Sequence, residues 1–324
     1  MYPADVSQDG PLDVFMAHMD VVFSDETELP LRVEDGRIYC PGVGDDTACL
    51  VCLLMAGKYI ARHVDSPRWR EIRGEDAPGL LLVCNAGEEG LGNLKGVRKI
   101  CEDYGGRIKS FCTFDSSLSS IVDRAVGSKR FRVKVRTRGG HSYNDFGNDN
   151  AIAGLASLVG KLYKIQVPEG GKTTYNVGMI SGGTSVNTIA QEAEMLYEFR
   201  SDKRENLEYM ERQFMEVLDR AKAEGMDVSF QVIGVRPCEG QVDPAQKQAL
   251  TDWAHRVVEE MTGQAPKHHA GSTDCNIPLS LGIPSVCVGS FRGAGAHTRE
   301  EYVETDSLEE GYKVAFGMIF GRRD

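Results

Sequence analysis

Short, uninterrupted apolar segments alternate with helical stretches in the first third of the chain, and this pattern constrains the fold more than any other feature. The apolar segments occupy residues 14–17, 79–84 and 111–114, and residues 47–63 have the composition of a largely buried helix. Strands without a polar face are typical of parallel sheets that helices cover on both sides. The sequence therefore predicts an α/β domain.

Polar side chains follow each of these segments where the predicted strand ends. His18 follows the first segment, Glu88 and Glu89 come shortly after the second, and Asp115 follows the third. The carboxyl ends of parallel strands lie at one edge of a sheet, which is where such folds place their ligands. We therefore expect these side chains to belong to one site.

The pattern changes between residues 122 and 236. Residues 130–136 alternate between polar and apolar side chains, as in a half-exposed strand, and the predicted elements up to residue 235 follow the ferredoxin-like order β-α-β-β-α-β. Helical and apolar segments return after residue 237. We predict a mixed-sheet α/β domain over residues 1–121 and 237–324, into which a ferredoxin-like α+β domain (122–236) is inserted.

Composition excludes several classes of partner. The chain carries 37 basic and 48 acidic side chains, a net charge of −11, so nucleic acid is not an expected partner. The longest apolar stretch, residues 48–57, is about half of the ~20 residues that cross a bilayer. The first residues lack the basic and apolar regions of a signal peptide. These features predict a cytoplasmic protein without membrane contacts.

The cysteines agree with a reducing compartment. There are nine, scattered and odd in number. Cys49 and Cys52 form a C-x-x-C pattern, but no second pair follows at zinc-ribbon spacing. Because free cysteine commonly behaves as a small apolar residue, we interpret this pair as core packing.

Individually, the polar motifs have ordinary structural explanations. His18 and Asp20 form an H-x-D pair that a structural histidine would equally explain, and the Asp45–Asp46 pair suits a helix N-terminus. Adjacent glutamates are often solvated loop residues. Taken together with His297, however, these motifs supply two imidazoles and at least four carboxylates. Such a set suits two zinc ions that share one carboxylate.

Seven motifs give the chain a strong resemblance to a known family. In chain order they are HMD, GVGDD, GEEG, FDSS, GGHS, GGTSVN and AHTRE, and together they extend over most of the sequence. The chain resembles the zinc-dependent exopeptidases and deacylases that include peptidase T, carboxypeptidase G, acetylornithine deacetylase and succinyl-diaminopimelate desuccinylase. The resemblance implies that the α/β domain is catalytic and that the inserted domain is a lid or dimerisation domain.

The resemblance also implies a ligand set of two Zn²⁺ per chain, for which Co²⁺ or Mn²⁺ can substitute. One ion would be bound by His18, Asp45 and Asp115. The other would be bound by Asp45, Glu89 and His297, so that Asp45 bridges the two ions. The family carries a cis peptide bond after the bridging aspartate, which here is the bond to Asp46.

Catalytic and substrate-binding roles follow in the same way. Glu88 would act as the general base on the attacking water, and Asp20 would orient His18 by accepting the second N–H of its ring. His141, reaching in from a partner subunit of a homodimer, would stabilise the oxyanion. The remaining matches are implied substrate contacts: Asn187, Arg200, Ser272 and Thr273.

The type of reaction is inferred from one residue type. In this family an aspartate at the position of Asp115 accompanies aminopeptidases and dipeptidases, which favours an aminopeptidase-type di- or tripeptidase resembling peptidase T. One alternative is an N-acyl amino acid deacylase related to acetylornithine deacetylase. Another is an inactive or truncated binding protein on the same fold, because relatives carry a longer segment before the H-x-D strand than the 17 residues found here.

Overall fold

The computed structural model describes residues 10–23, 29–63, 65–67, 71, 74 and 77–321. The chain divides into two compact units: unit 1 comprises Met1–Ala125 and Glu239–Asp324, and unit 2 comprises Val126–Cys238. The boundaries predicted from the sequence, after residues 121 and 236, lie within a few residues of these.

Sixteen strands and seven helices are named below in chain order. The strands are β1 Leu12–His18, β2 Arg32–Glu34, β3 Arg37–Tyr39, β4 Gly79–Asn85, β5 Ile108–Phe114, β6 Ser120–Ala125, β7 Gly127–Arg136, β8 Gly140–His141, β9 Thr173–Gly182, β10 Thr188–Ile189, β11 Glu192–Ser201, β12 Asp227–Arg236, β13 Lys267–Gly271, β14 Ser285–Val288, β15 Gly293–Ala294 and β16 Tyr302–Glu304. The helices are α1 Cys49–His63, α2 Lys95–Tyr104, α3 Ala151–Leu162, α4 Arg204–Ala223, α5 Pro244–Thr262, α6 Asn276–Ser280 and α7 Ser307–Phe320.

Unit 1 is built on a mixed six-stranded sheet, as the sequence predicts. The strand order is β13-β6-β14-β5-β1-β4. Strand β1 runs parallel to β4 and β5, whereas β6 runs antiparallel to β14. Every residue of β1 is buried. The uninterrupted apolar sequence of β1 is explained by this position, because both of its faces lie under helices.

The two faces of the sheet pack against different helices. Phe15 and Ala17 belong to a core that includes side chains of α1, α5 and α7, while Val14 and Met16 belong to one with α2 and α6. Alternation along the strand produces this division, because successive side chains point to opposite faces. Cys49 and Cys52 lie buried in the first core, in agreement with a packing role.

The parallel strands bring their carboxyl ends to one edge of the sheet. His18, the last residue of β1, pairs in register with Asn85, the last residue of β4. Asp115 directly follows β5. Adjacent strands lie only about 4.8 Å apart, so the loops that leave these three ends are neighbours.

A second sheet of unit 1, which the sequence analysis did not predict, joins distant parts of the chain. Its strand order is β15-β16-β3-β2, and Tyr302 of β16 pairs with Tyr39 of β3. This pairing places the segment before β16 beside the segment after β3. Three-residue strands carry too little periodicity to be recognised from sequence.

Unit 2 contains a four-stranded antiparallel sheet with the order β12-β7-β11-β9, accompanied by helices α3 and α4. Its main elements follow the predicted order β-α-β-β-α-β, and a short β8–β10 pair is added. Alternate residues of β11 are buried. The core centres on Phe131, whose ring centroid lies 4.3 Å from that of Phe214 and 5.6 Å from that of Phe199.

Among the helices of the described residues, none has the length and apolar character that a membrane crossing requires.

Replacing Phe131 by alanine tests the importance of this core. Phe131 is 1% exposed, so Phe131→Ala is expected to lower the free energy of unfolding of unit 2 by about 3–5 kcal/mol, because the cavity cannot fully collapse. Phe146→Ala is the matched control. Its side chain is 90% exposed, and a change within about 0.5 kcal/mol is expected. Urea unfolding followed by circular dichroism measures both, and equal effects would contradict the assigned core.

Candidate metal centre

All seven ionisable side chains of the candidate centre lie in unit 1. They sit at the end of β1, in the turn before α1, in the loops after β4 and β5, and in the loop before β16. They are His18, Asp45, Asp46, Glu88, Glu89, Asp115 and His297. The peptide bond between Asp45 and Asp46 is cis, as the family resemblance implies.

Asp45 lies at the middle of the centre. Its Oδ1 is 3.1 Å from Nε2 of His18, and its Oδ2 is 3.0 Å from Nε2 of His297. Nε2 of His297 also lies 3.2 Å from Oε1 of Glu89. One carboxylate therefore faces two imidazoles through its two different oxygens, which is the arrangement of a ligand that bridges two ions.

Three groups of possible ligands have donor atoms within 4.8 Å of one another among the described residues. One matches the set implied for the second zinc ion: Asp45, Glu89 and His297. The others are His18 with Asp46 and Asp115, and His18 with Glu88 and Glu89. Asp115 thus meets His18 in a group with Asp46, whereas the resemblance implies a set with Asp45.

Hydrogen bonding fixes the tautomer of His18. Its Nδ1 donates to the backbone carbonyl of Asp20 at 2.9 Å, so Nε2 carries the lone pair whenever the ring is neutral. Nε2 is buried and makes no hydrogen bond of good geometry. When a metal ion replaces its proton, this buried nitrogen supplies the lone pair that a metal ligand requires.

The Asp20 carboxylate acts differently from the sequence-based expectation. It lies 3.7 Å from Nδ1 of His18, and the carbonyl takes the ring N–H in its place. The carboxylate accepts backbone N–H groups of Gly87, Glu88 and Glu89 at 2.8, 3.4 and 3.0 Å. Asp20 therefore positions the loop that carries both glutamates, and the H-x-D spacing alone did not distinguish these roles.

Burial and mutual repulsion raise the pKa of several carboxyl groups. Burial, together with the charges of Asp45 and Glu88, raises the pKa of Glu89 to about 7 and that of Asp115 to about 8. Burial also raises the pKa of Asp46 well above its usual value, and the charge of Asp115 adds to this. These carboxyl groups therefore hold protons near neutral pH unless another cation compensates their charge.

His18 experiences this excess of negative charge. Burial alone would lower the pKa of His18, but the close contact with Asp45 and the charges of Asp46, Asp115 and Glu88 raise it to about 11. Burial likewise opposes ionisation of Asp45, yet His18 and His297 lower its pKa. A donor set of imidazoles and excess carboxylates fits divalent transition metals, which would replace these protons.

Three buried residues next to the centre were missed by sequence reasoning. Asn85 donates to Asp274 at 2.6 Å, and the charge of Asp274 contributes to the raised pKa of Asp115. Glu301 accepts the backbone N–H groups of residues 42, 44 and 45. Asp274 directly follows the predicted substrate contacts Ser272 and Thr273, and Glu301 directly follows the AHTRE motif, but neither position indicates what these side chains contact.

His141 and Asn187 lie together in unit 2. Strand β8 pairs with β10, and the backbone N–H of Ser142 donates to the carbonyl of Asn187 at 3.0 Å. Nδ1 of His141 accepts the backbone N–H groups of Tyr143 and Asn144 at 3.2 and 3.4 Å. Its exposed ring therefore carries the proton on Nε2, which leaves a hydrogen-bond donor directed away from the loop.

The other substrate-binding candidates already make internal contacts. Arg200, in unit 2, binds both oxygens of Glu198 at 2.9 and 3.1 Å, and Arg130 shares that carboxylate. In unit 1, Thr273 is buried and its hydroxyl accepts the N–H of Cys275, next to the half-buried Ser272. Their roles toward a substrate stay predictions.

Comparisons with known proteins find relatives that match most of this chain. A succinyl-diaminopimelate desuccinylase of Nitrosomonas eutropha is 24% identical over 322 residues, which cover 93% of this chain and 80% of the relative. An acetylornithine deacetylase of Myxococcus xanthus is 24% identical over 290 residues, covering 86% and 71%. The crystal structure of the aminopeptidase PepT from Bacillus cereus superposes with a TM-score of 0.68 and 22% identity, covering 97% of this chain and 81% of that one.

The motifs that carry the metal-ligand candidates extend from His18 to His297. Residues 14–320 match one family model, and that range includes all of unit 2 and most of unit 1. The chain belongs to Peptidase family M20/M25/M40.

Proposed function

We propose that this protein is a zinc-dependent hydrolase of the aminopeptidase type, which releases the N-terminal residue of di- or tripeptides as peptidase T does. The observation that carries the proposal is the position of Asp45, which has one carboxylate oxygen next to His18 and the other next to His297. A shared carboxylate between two imidazoles supports a dinuclear centre, and Glu88 stands next to one of its ligand candidates.

Two zinc ions would occupy the centre, and Co²⁺ or Mn²⁺ could replace them. The first ion would be held by His18, Asp45 and Asp115, and the second by Asp45, Glu89 and His297. Asp46 would lie near the first ion, because its donor atom is within 4.8 Å of those of His18 and Asp115. When bound, the ions would polarise the scissile carbonyl and lower the pKa of a water molecule.

Glu88 is the proposed general base. Its side chain is 6% exposed and lies within 4.8 Å of both His18 and Glu89, close to the proposed ligands. It would take a proton from the attacking water and deliver it to the leaving amine. The protonated Nε2 of His141 supports a role as the donor that stabilises the oxyanion.

The choice of peptide substrates rests on Asp115 and on the likeness to PepT. Four side chains are proposed substrate contacts: Asn187 and Arg200 in unit 2, and Ser272 and Thr273 in unit 1. A guanidinium suits a peptide carboxylate because it binds both oxygens. Arg200 would have to release Glu198 to do so.

Hydrolysis of an N-acyl amino acid is the second candidate. It is favoured by the curated relatives, which are a desuccinylase and a deacetylase. The same attack by water would cleave either amide, so the two activities differ in the substrate that binds and not in the metal centre.

A homodimer through unit 2 is supported by the edge of its sheet. Strand β9 is an edge strand, and Met179 and Ile180 on it are 50% and 54% exposed. Edge strands with apolar side chains readily pair with another chain. Val186, fully exposed in the loop after β9, is a further apolar side chain on the surface of unit 2. A cytoplasmic location is supported by the odd number and the scattered positions of the nine cysteines.

The substrate class can be tested directly. Zinc-loaded protein incubated with a pool of tripeptides, dipeptides and N-acetyl amino acids is expected to remove N-terminal residues from the peptides, as followed by mass spectrometry. Chelated protein should be inactive. Loss of acetyl groups alone would transfer the assignment to the deacylases, and two bound metals without turnover would favour the inactive binding protein.

Glu88→Gln tests the general base. The amide cannot accept a proton, so turnover is expected to fall by at least about 10²-fold while the metal content stays at the wild-type value. Glu102→Gln serves as the matched control, because Glu102 is an exposed residue of α2. Activity of Glu88→Gln above about a hundredth of the wild-type rate would exclude Glu88 as the base.

Subunit complementation tests whether His141 acts across the dimer. His141→Ala and Glu88→Gln proteins are each expected to be nearly inactive. Mixed heterodimers should regain activity, because one of their two sites then combines an intact Glu88 with an intact His141. Purified heterodimers with no recovered activity would refute the action of His141 in trans.

A further inference from the structure

Glu301 is a buried carboxylate that lies outside the proposed ligand set. It directly precedes β16, and its backbone carbonyl accepts the N–H of Cys40 at 3.1 Å. The pairing of β16 with β3 places its side chain beside the GVGDD turn. The residue is 3% exposed, so water contributes little to its solvation.

The turn wraps closely around this carboxylate. One oxygen accepts the N–H of Gly42 at 2.6 Å, and the other accepts those of Gly44 and Asp45 at 2.9 and 2.8 Å. A Cβ at Gly44 would lie 2.6 Å from the ring of Phe291 and 3.1 Å from Oε1 of Glu301. Converging backbone N–H groups form an anion-binding nest, and here the chain fills the nest with its own carboxylate.

The same segment contacts Asp45 at two places. His297 approaches the side chain of Asp45, with Nε2 3.0 Å from Oδ2. Glu301, four residues later, binds the backbone N–H of Asp45 at 2.8 Å. One residue is therefore fixed at both its backbone and its carboxylate by a single short stretch of chain.

We propose that Glu301 is a positioning residue of the metal centre, which fixes the backbone of Asp45 and thereby sets the affinity of the centre for divalent metal. The inference rests on the proposed function, because that function makes Asp45 the ligand that bridges the two metal ions. Glu301 contacts neither the metal nor the reacting atoms in this role. It acts through the orientation of Asp45, as residues that hydrogen-bond to metal ligands do.

The structure indicates which substitution isolates this role. In Glu301→Gln the side chain keeps its size, and one oxygen can still accept the N–H groups of Gly44 and Asp45. The amide NH₂ then faces the N–H of Gly42, so two donors oppose each other where a short hydrogen bond stood. Glu300→Gln is the matched control, since this neighbouring glutamate is exposed.

The test is a titration of metal-free protein with Co²⁺, followed by its visible absorption. Glu301→Gln is expected to bind Co²⁺ about 10–100-fold more weakly than the wild type, because residues that support metal ligands have effects of this size. Glu300→Gln should bind as the wild type does. With saturating Co²⁺, the kcat of Glu301→Gln should recover at a nearly unchanged KM.

The outcomes separate this role from others. Unchanged Co²⁺ affinity together with a lowered Tm would overturn the proposal and leave Glu301 a purely structural residue. Wild-type protein that binds Co²⁺ but cleaves no amide would overturn the proposed function alone, since the affinities still decide the role of Glu301. Wild-type protein that binds no Co²⁺ would overturn both.

If circular dichroism shows that Glu301→Gln does not fold, a second variant, Glu301→Asp, tests the proposal. Glu301→Asp keeps the charge but is one methylene shorter, so it cannot reach all three N–H groups. Weakened Co²⁺ affinity is again the expected result, and an affinity equal to that of the wild type would overturn the proposal.

Discussion

Repulsion among five carboxylates is the constraint on which the centre of unit 1 depends. They converge on two imidazoles at the carboxyl ends of parallel strands, where burial denies them water. Without a cation, protons must compensate the charge, as the raised pKa values of Glu89 and Asp115 indicate. A divalent ion would compensate the charge of these carboxylates, which explains why a cluster with such strong internal repulsion suits a metal centre.

The supporting contacts of the centre come from backbone groups as much as from side chains. Asp20 accepts three N–H groups of the GEEG loop, and Glu301 accepts three of the GVGDD turn. Each carboxylate thus organises one loop that carries ligand candidates. The GEEG loop follows β4 and the GVGDD turn follows β3, which belong to two different sheets of unit 1, and these two acids set the shape of the loops.

Periodicity was sufficient to predict the main architecture. The apolar segment that became β1 indicated a strand covered on both faces, and the alternation in residues 130–136 indicated the half-exposed β7. Both patterns are local, because they record which faces of an element meet the core. The strands of the β15-β16-β3-β2 sheet escaped detection since three residues or fewer show no usable period.

The sequence by itself determined the α/β fold of unit 1, the element order of unit 2 and the inventory of acids and histidines, because these depend on local pattern and on motifs. Only the tertiary structure decided how that inventory is used. In the structure, the ring N–H of His18 donates to a backbone carbonyl and not to the Asp20 carboxylate. The Asp115 carboxylate lies near that of Asp46, and Glu301 accepts hydrogen bonds from a turn more than 250 residues earlier in the chain. Such contacts depend on distances between strands and loops far apart in sequence, which no local pattern encodes.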